Sequence, residues 1–210
     1  VTAEDPIEYE LNGIIQVQVN PAIGLSYERI LRSLLRQDPE VILVGEIRDR
    51  SSMEIAMEAA LTGHFVLSSL HTNDAFETVA RVRQRGIEPY VAASAIRGII
   101  SQRLLPRLCS ACAEETPVSE ECLRELRRGG ICDADRKPKT WAAKGCTHCK
   151  MSGYKGRIAL YEVLVMSSGL QSAIELGATT GELEKAVQPG SYVSMRRYAR
   201  FVMEMGLAAP

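Results

Sequence analysis

The stretch Asp38-Pro-Glu-Val-Ile-Leu-Val-Gly-Glu-Ile-Arg-Asp49 decides how the fold of this chain is interpreted. Its apolar run, Val41 to Val44, is short, mostly β-branched and bounded by Pro39 and Gly45. Such a run predicts a strand that is buried on both faces of a parallel sheet. Glu46 then lies at the carboxyl end of this strand, which is the edge where open α/β sheets bind their ligands.

Glu46 has two interpretations when this stretch is considered alone. A carboxylate at this edge, next to Arg48 and Asp49, can hold metal and water near a nucleotide phosphate. The alternative is a core strand that ends in a solvated charged turn. The neighbouring segments favour the first interpretation.

Strand and helix patterns alternate along residues 38 to 86, which requires a parallel sheet with right-handed crossovers. Phe65 to Leu70 predicts a second buried strand, so we expect His71 to lie at the same edge as Glu46. A single histidine is more often structural than functional, but His64 and His71 bracket this strand beside an acidic strand end, which favours a functional site. The two helices are predicted to begin at capping boxes, Ser51 with Glu54 and Asp74 with Glu77.

The first residues of the chain are acidic. Glu4, Asp5 and Glu8 crowd around Pro6, and carboxylates this close repel one another unless a cation or hydrogen-bond donors lie among them. A solvated acidic turn is the alternative. The chain starts inside what looks like a strand, which predicts that the sequence is a fragment.

Three arginines recur on one face of the helix that Ser26 is predicted to cap: Arg29, Arg32 and Arg36. A solvated surface is the commoner role of such a face, and an anion clamp or a subunit boundary is the alternative.

Size and charge exclude several classes of protein. The 210 residues, 46% of them hydrophobic, are enough for one large domain or for a domain with an appendage. A formal net charge of -1 gives no basic surface for nucleic acid and no polybasic membrane anchor. No apolar run is long enough to span a bilayer and no signal peptide is apparent, so a cytoplasmic protein without a membrane span is expected.

Four of the six cysteines form two Cys-x-x-Cys pairs, Cys109 with Cys112 and Cys146 with Cys149. Two such turns supply the four thiolates of a closed structural zinc site. The spacer, residues 113–145, is longer than in most zinc ribbons, but loop closure entropy grows only logarithmically with length. Free thiols and disulfides are the alternatives.

The remaining elements follow from apolar patterns. A helix that begins at Glu88-Pro89 is predicted to continue to Ile100, and Arg157 to Val165 predicts a strand. Three amphipathic helices are predicted at about 168–176, 180–187 and 194–205, the last packing Met195 and Tyr198 into a core.

Together these segments resemble the secretion ATPase superfamily, the hexameric motors of type II secretion and type IV pilus assembly. Residues 4–9 resemble its Asp box, residues 38–49 its Walker B segment and residues 62–75 its His box. Residues 101–109 and 146–162 resemble the segments that flank its tetracysteine module, and the match is looser after about residue 165.

The resemblance implies an α/β fold: the C-terminal part of a RecA-like P-loop NTPase core, mostly a parallel sheet, with an inserted zinc-binding module and a C-terminal helical subdomain. The expected division is 1–104 for the core, 105–157 for the zinc module and 158–210 for the return strand and helices.

The resemblance also implies residue roles, with ATP, Mg²⁺ and Zn²⁺ as cofactors. Glu8 would orient and activate water, Glu46 would act through the magnesium shell, and His71 would sense the γ-phosphate. Supporting roles fall to Glu4, Asp5, His64, Arg32 and Arg36. The zinc ligands would be Cys109, Cys112, Cys146 and Cys149.

One expected motif, the P-loop G-x-x-x-x-G-K-[ST], does not occur in these 210 residues. The expectation is therefore a motor fragment that is inactive alone, whose P-loop lies upstream. A non-catalytic zinc-stabilised interaction module is the alternative, and a nucleic-acid-binding zinc ribbon is disfavoured by the neutral charge.

The partners that the resemblance implies are further copies in a hexameric ring and an inner-membrane platform protein, which implies peripheral association with that membrane. Secretion, pilus assembly and DNA uptake stay open, while the module argues against a retraction motor.

Overall fold

The computed structural model describes residues 1–132 and 138–210, which form two compact units. The first unit comprises residues 1–99 and 165–189, and the second comprises residues 100–164 and 190–210. Two of the C-terminal helices belong to the first unit and the last helix belongs to the second, while the expected division into 1–104, 105–157 and 158–210 stays a prediction.

The strands are β1 Thr2–Glu4, β2 Gln16–Gln18, β3 Val41–Val44, β4 Phe65–Ser68, β5 Gly98–Leu108, β6 Ala113–Thr116, β7 Thr140–Ala143, β8 Tyr154–Val165 and β9 Tyr192–Val193. The α-helices are α1 Tyr27–Leu34, α2 Arg50–Leu61, α3 Ala75–Gln84, α4 Pro89–Ala95, α5 Glu120–Arg128, α6 Ser168–Glu175, α7 Thr180–Ala186 and α8 Met195–Glu204. Short 3-10 helices span Pro21–Ile23, Leu35–Gln37 and Thr147–Cys149.

The first unit is built on a four-stranded sheet in the order β2-β1-β3-β4. All three strand pairs are parallel, with Val41 opposite Phe65 and Leu43 opposite Leu67. The predicted parallel sheet is therefore confirmed.

Helices α1 and α2 connect β2 to β3 and β3 to β4, and both connections cross the sheet in the same direction. Right-handed crossovers in one direction place both helices on the same face. That face is the core of the unit, with Ala3 and Val44 fully buried and Ile42 1% exposed.

The opposite face of this sheet is open in the part of the chain that the structure describes. Val41, Phe65 and Leu67 are 45%, 57% and 45% exposed. The prediction that β3 and β4 are buried on both faces is therefore wrong for the described residues, because each connection adds a helix to one side only.

Helix starts follow the predicted signals with one exception. The side chains of Ser26 and Asp74 cap α1 and α3 as expected, and that of Ser119 caps α5. Helix α2 is capped by Asp49, whose Oδ1 accepts from the Ser52 N–H at 2.8 Å, and not by Ser51 as predicted.

The helix that begins at Pro89 is shorter than predicted. It ends at Ala95, and Gly98 starts the strand β5, which continues through Ile99 and Ile100. β-Branched residues next to a glycine are disfavoured in a helix and favoured in a strand, which explains the earlier end.

The second unit contains the sheet β5-β8-β9 and the antiparallel hairpin β6-β7. Strand β8 confirms the strand predicted from Arg157 to Val165, and α6, α7 and α8 match the three predicted helices. Met195 and Tyr198 of α8 pack against a cluster that contains Leu160 and Val202, as expected.

Among the described residues, no helix combines the length and the apolar character that crossing a bilayer would require.

Candidate functional site

A cluster of charged side chains lies at the carboxyl edge of the parallel sheet, where β1, β3 and β4 end. The Glu46 carboxylate forms an ion pair with Arg48 through Oε1 and lies 3.3 Å from the Nε2 of His71 through Oε2. Arg48 also reaches Asp5, with Nη1 3.8 Å from Oδ2. Three strand ends thus contribute to one cluster, because parallel strands bring their carboxyl ends to the same edge.

Glu46 is the most enclosed member of this cluster. Its side chain is 14% exposed, whereas that of His71 is 89% exposed. The hydrogen bond and charge of Arg48, with a smaller contribution from His71, hold the pKa of Glu46 below its ordinary value. Glu46 is therefore a carboxylate at neutral pH, the form that can accept hydrogen bonds from water or bind a hard cation.

Glu4 lies in a separate hydrogen-bond group at the end of β1. Its Oε1 accepts from Thr2 Oγ1 at 2.6 Å and from Gln16 Nε2 at 2.9 Å. The Thr2 hydroxyl first, and then the Gln16 amide, lower the pKa of Glu4. Donors from within the sheet thus relieve the crowding of the acidic segment at this position.

Glu8 is exposed, and the structure shows neither a hydrogen bond nor an ion pair for its carboxylate among residues 1–132 and 138–210. Its backbone N–H contributes to the low pKa of Glu4. The structure therefore does not join Glu8 to Glu46 and His71 by a contact, and its role stays a prediction.

His64 lies at the amino end of β4, whereas His71 follows the carboxyl end of that strand. Its Nδ1 lies 3.0 Å from the Ala59 carbonyl oxygen and 3.2 Å from Thr62 Oγ1, where α2 ends. The structure therefore places His64 in a helix-terminating role at the opposite edge of the sheet and does not bring it to Glu46.

The arginine face of α1 is exposed. Arg32 Nε pairs with Glu28 Oε1 at 3.2 Å, and its side chain is 61% exposed. Arg36 lies in the 3-10 helix that follows. The structure shows no contact between either arginine and Glu46 in the described part of the chain, so their suggested role toward the nucleotide stays a prediction.

The four paired cysteines form one cluster in the second unit. Their sulfur atoms all lie within 4.8 Å of one another. Three Sγ pairs are 3.8 to 4.0 Å apart: Cys109–Cys146, Cys112–Cys149 and Cys146–Cys149. A tetrahedral zinc site with Zn–S bonds of about 2.3 Å places its sulfurs about 3.8 Å apart, so this donor set fits zinc. The same distances exclude disulfides, whose sulfurs are about 2.05 Å apart.

The β6-β7 hairpin brings the two cysteine turns together. Cys112 immediately precedes β6, Cys146 follows β7, and Ala113 pairs with Ala143 between them. This pairing explains how the long spacer, residues 113–145, still allows one four-sulfur site.

Backbone amides support the second turn. The N–H groups of Cys146 and Gly153 each donate to the Cys149 sulfur at 3.2 Å. Burial acts to raise the pKa of Cys149, but these N–H groups and the neighbouring thiols outweigh it and lower the pKa to about 6. Cys149 is therefore ready to act as a thiolate ligand.

Two site features were missed by the sequence interpretation. Arg48 is the main partner of Glu46, and its position two residues after Glu46 was the available signal.

Tyr27 is the second of these features. It is 8% exposed, and its hydroxyl has no partner among the described residues. Burial first, and then the charge of Glu46, raise the pKa of Tyr27. No sequence pattern indicated that α1 would bring this hydroxyl to the strand end.

Comparison with known proteins gives a consistent result along the whole chain. The family model described as "Type II/IV secretion system protein" matches residues 1–208. The chain is 43% identical over 196 residues to the type IV pilus assembly ATPase PilB of Thermus thermophilus, covering 93% of this chain and 22% of that protein. It is 40% identical over 203 residues to the type II secretion system protein E of Klebsiella pneumoniae, covering 95% of this chain and 39% of that protein. The chain thus spans well under half the length of these relatives.

Solved structures agree on the fold. The pilus retraction motor PilT with bound ADP superposes with a TM-score of 0.66 at 27% identity, covering 99% of this chain and 49% of that chain. The ATPase DotB of Legionella pneumophila gives a TM-score of 0.64 at 24% identity, covering 99% and 48%. Both superpositions cover nearly the whole of this chain, so the expected RecA-like fold class is confirmed.

Proposed function

Because this chain belongs to the type II/IV secretion system protein family, we propose that it is the C-terminal part of a cytoplasmic motor ATPase. The intact motor would hydrolyse ATP to power type II protein secretion or type IV pilus assembly. The observation that carries this proposal is the contact of Glu46 with both Arg48 and His71 at the carboxyl edge of the sheet.

In the intact motor, water would attack the γ-phosphate in line at this edge of the sheet. The protein contributes by positioning the reactants and by supplying charge. Glu46 would help to hold Mg²⁺ when ATP is bound, and the ion would supply positive charge against the negative charge that develops on the phosphates. Glu46 supports this because its lowered pKa keeps it ionised, and because contacts with Arg48 and His71 hold both of its oxygens. Glu8, exposed on the neighbouring loop, would orient the attacking water.

His71 would report the state of the γ-phosphate. Its imidazole is largely exposed and is held near Glu46 by one contact of 3.3 Å. A side chain with a single weak partner can exchange that partner for a phosphate oxygen without leaving a buried group unsatisfied. Asp5 would add negative charge beside Arg48 and thereby favour the metal.

The open sheet face supports the proposal that a further part of the motor belongs with this chain. Parallel sheets occur almost only with both faces covered, but Val41, Phe65 and Leu67 are about half exposed here. The relatives are more than twice as long as this chain. We infer that the residues carrying the P-loop cover this face in the intact protein.

The cysteine cluster would have a structural role. Four thiolates leave no open position on zinc, so the ion would stabilise the second unit and take no part in hydrolysis. We propose that this unit transmits motion to an inner-membrane platform protein, and that the motor works as a hexameric ring.

The substitution Glu46→Gln in the full-length motor tests the assignment. It removes the charge and keeps the shape, so we expect turnover to fall by roughly 10²–10⁴-fold with nucleotide binding retained. Glu54→Gln, on the exposed side of α2, is the matched control and should hydrolyse ATP normally. Hydrolysis at the parental rate by the Glu46→Gln motor would overturn the role of this carboxylate.

A non-catalytic zinc-stabilised interaction module is the second candidate, favoured by the cluster of four cysteines in the second unit. The gene sequence upstream of Val1 separates the two: an in-frame P-loop supports the motor, and a start codon at this point supports the module.

A further inference from the structure

A small cavity beside His71 is lined by three arginines, this histidine and two apolar side chains. It has a volume of about 100 Å³ and lies within the first unit. Its lining consists of Ile47, Arg48, Leu70, His71, Arg81 and Arg85.

Arg81 and Arg85 lie four residues apart at the end of α3, a spacing that puts them on the same helix face. Among residues 1–132 and 138–210, the structure shows no ion pair for either guanidinium. Glu77, one turn before Arg81, is the natural partner for such a pair. Its Oε2 instead accepts from the Asn73 N–H at 2.9 Å, at the start of the helix.

The carboxylate that contacts two residues of the cavity lining is also engaged. Glu46 already has Arg48 and His71 as partners, so it does not compensate the two arginines of α3. Like charges four residues apart on a helix repel each other and slightly destabilise it. An anion between the two guanidiniums would remove this repulsion, and the planar fork of arginine matches the oxygens of phosphate-like anions.

The volume of this cavity limits its ligand to a small anion. At about 100 Å³ the cavity has room for a single tetrahedral oxyanion. Sites for larger organic ligands measure roughly 300–1,000 Å³, so a nucleoside does not fit.

We propose that Arg81 and Arg85, with His71, form a binding site for inorganic phosphate on the α3 side of Glu46. If the proposed ATPase function is correct, the phosphate released at Glu46 is the ligand at hand. The binding itself does not depend on hydrolysis, so its test and that of Glu46→Gln can fail separately.

The experiment is a titration of the ¹⁵N-labelled chain with inorganic phosphate, following the Nε–Hε signals of the arginines and the ring signals of His71 by NMR. Potassium chloride at the same ionic strength is run in parallel, because screening alone acts equally with both salts. We expect saturable shifts of Arg81, Arg85 and His71 with phosphate only. A parallel titration with AMP distinguishes free phosphate from the phosphate of a nucleotide.

The double substitution Arg81→Gln with Arg85→Gln should weaken phosphate binding by at least about tenfold, since each charge-assisted hydrogen bond contributes more than a tenfold factor. The matched control is Arg124→Gln with Arg128→Gln, which removes an exposed pair with the same spacing from α5. This control should bind phosphate like the parent. Equal shifts with chloride, a response to AMP alone, or unchanged affinity of the Arg81/Arg85 double variant would each overturn the proposal.

Discussion

His71 Nε2 lies 3.3 Å from Glu46 Oε2 although the two residues are 25 positions apart in the sequence. Their contact exists because β3 and β4 are parallel neighbours in register, with Val44 opposite Ser68. A strand end that carries an acid is thereby joined to one that carries an imidazole. The proposed reaction centre depends on this pairing and on Arg48, which occupies the other carboxylate oxygen.

Replacing Arg48 should change the titration of Glu46. The hydrogen bond from Arg48 is the largest cause of the lowered pKa of Glu46, so Arg48→Gln should move that pKa up toward its ordinary value. A carboxylate with a lowered pKa stabilises the fold above its unfolded pKa, and this contribution is lost as the pH falls through the folded pKa. Arg48→Gln should therefore be less stable than the parent at neutral pH, and this difference should shrink as the pH falls through the folded pKa of Glu46.

Carbon-13 NMR of the side-chain carboxyl groups measures the pKa of Glu46 directly. Arg36→Gln is a suitable control, because the structure shows no contact between Arg36 and this carboxylate in the described residues. An unchanged pKa of Glu46 in Arg48→Gln would mean that Arg48 is not its main partner.

The cysteine cluster predicts a zinc requirement. Cys146→Ser removes one of four thiolates, and because binding energy at a structural zinc site is also folding energy, bound zinc and the melting temperature of the second unit should both fall. Cys122→Ser, which changes a cysteine packed in a different cluster, should keep about one zinc per chain. Zinc content by atomic absorption and thermal melting check both variants. Equal zinc content and equal melting for Cys146→Ser and the parent would rule out the site.

Two glycines of the second unit share the same backbone conformation but differ in their surroundings, so comparing them separates the effect of packing on stability from that of backbone strain. Gly153 and Gly156 both have φ of +76°, but a Cβ on Gly153 would lie 2.5 Å from the Ala143 Cβ, whereas one on Gly156 meets nothing within 4 Å. Both alanine variants pay the cost of a left-handed conformation, about 1 kcal/mol or more. Gly153→Ala should lose clearly more stability, because it also pushes the cysteine turn away from β7.

Urea unfolding with and without zinc compares the two glycine variants. Equal free energies of unfolding for Gly153→Ala and Gly156→Ala would show that the contact with Ala143 carries no cost.

The start of α2 offers a test of the corrected cap. Asp49 accepts from both the N–H and the hydroxyl of Ser52, at 2.8 and 3.0 Å, so Asp49→Ala should cost about 1 kcal/mol of unfolding free energy. Ser51→Ala should stay within about 0.5 kcal/mol of the parent. Chemical denaturation of the two variants decides between them, and a larger loss for Ser51→Ala would restore the cap first predicted.

Much of the architecture could be predicted because it depends on local patterns. The apolar run Val41–Val44 and the alternation with helices indicated a parallel sheet, and the caps at Ser26 and Asp74 follow from side chains that reach the first free N–H groups of a helix. The two Cys-x-x-Cys turns could be recognised because chelation geometry is set within four residues.

What the sequence alone determined is the set of chemical groups and the strand ends that carry them: Glu46 after β3, His71 after β4 and two pairs of thiols. Only the tertiary structure decided which of these groups meet, since contacts depend on strand register and on the side of the sheet to which each helix is added. For this reason Arg48 is the partner of Glu46, and His64 lies at the opposite edge of the sheet. For the same reason Val41, Phe65 and Leu67 lie on an open face, although the apolar run predicted full burial.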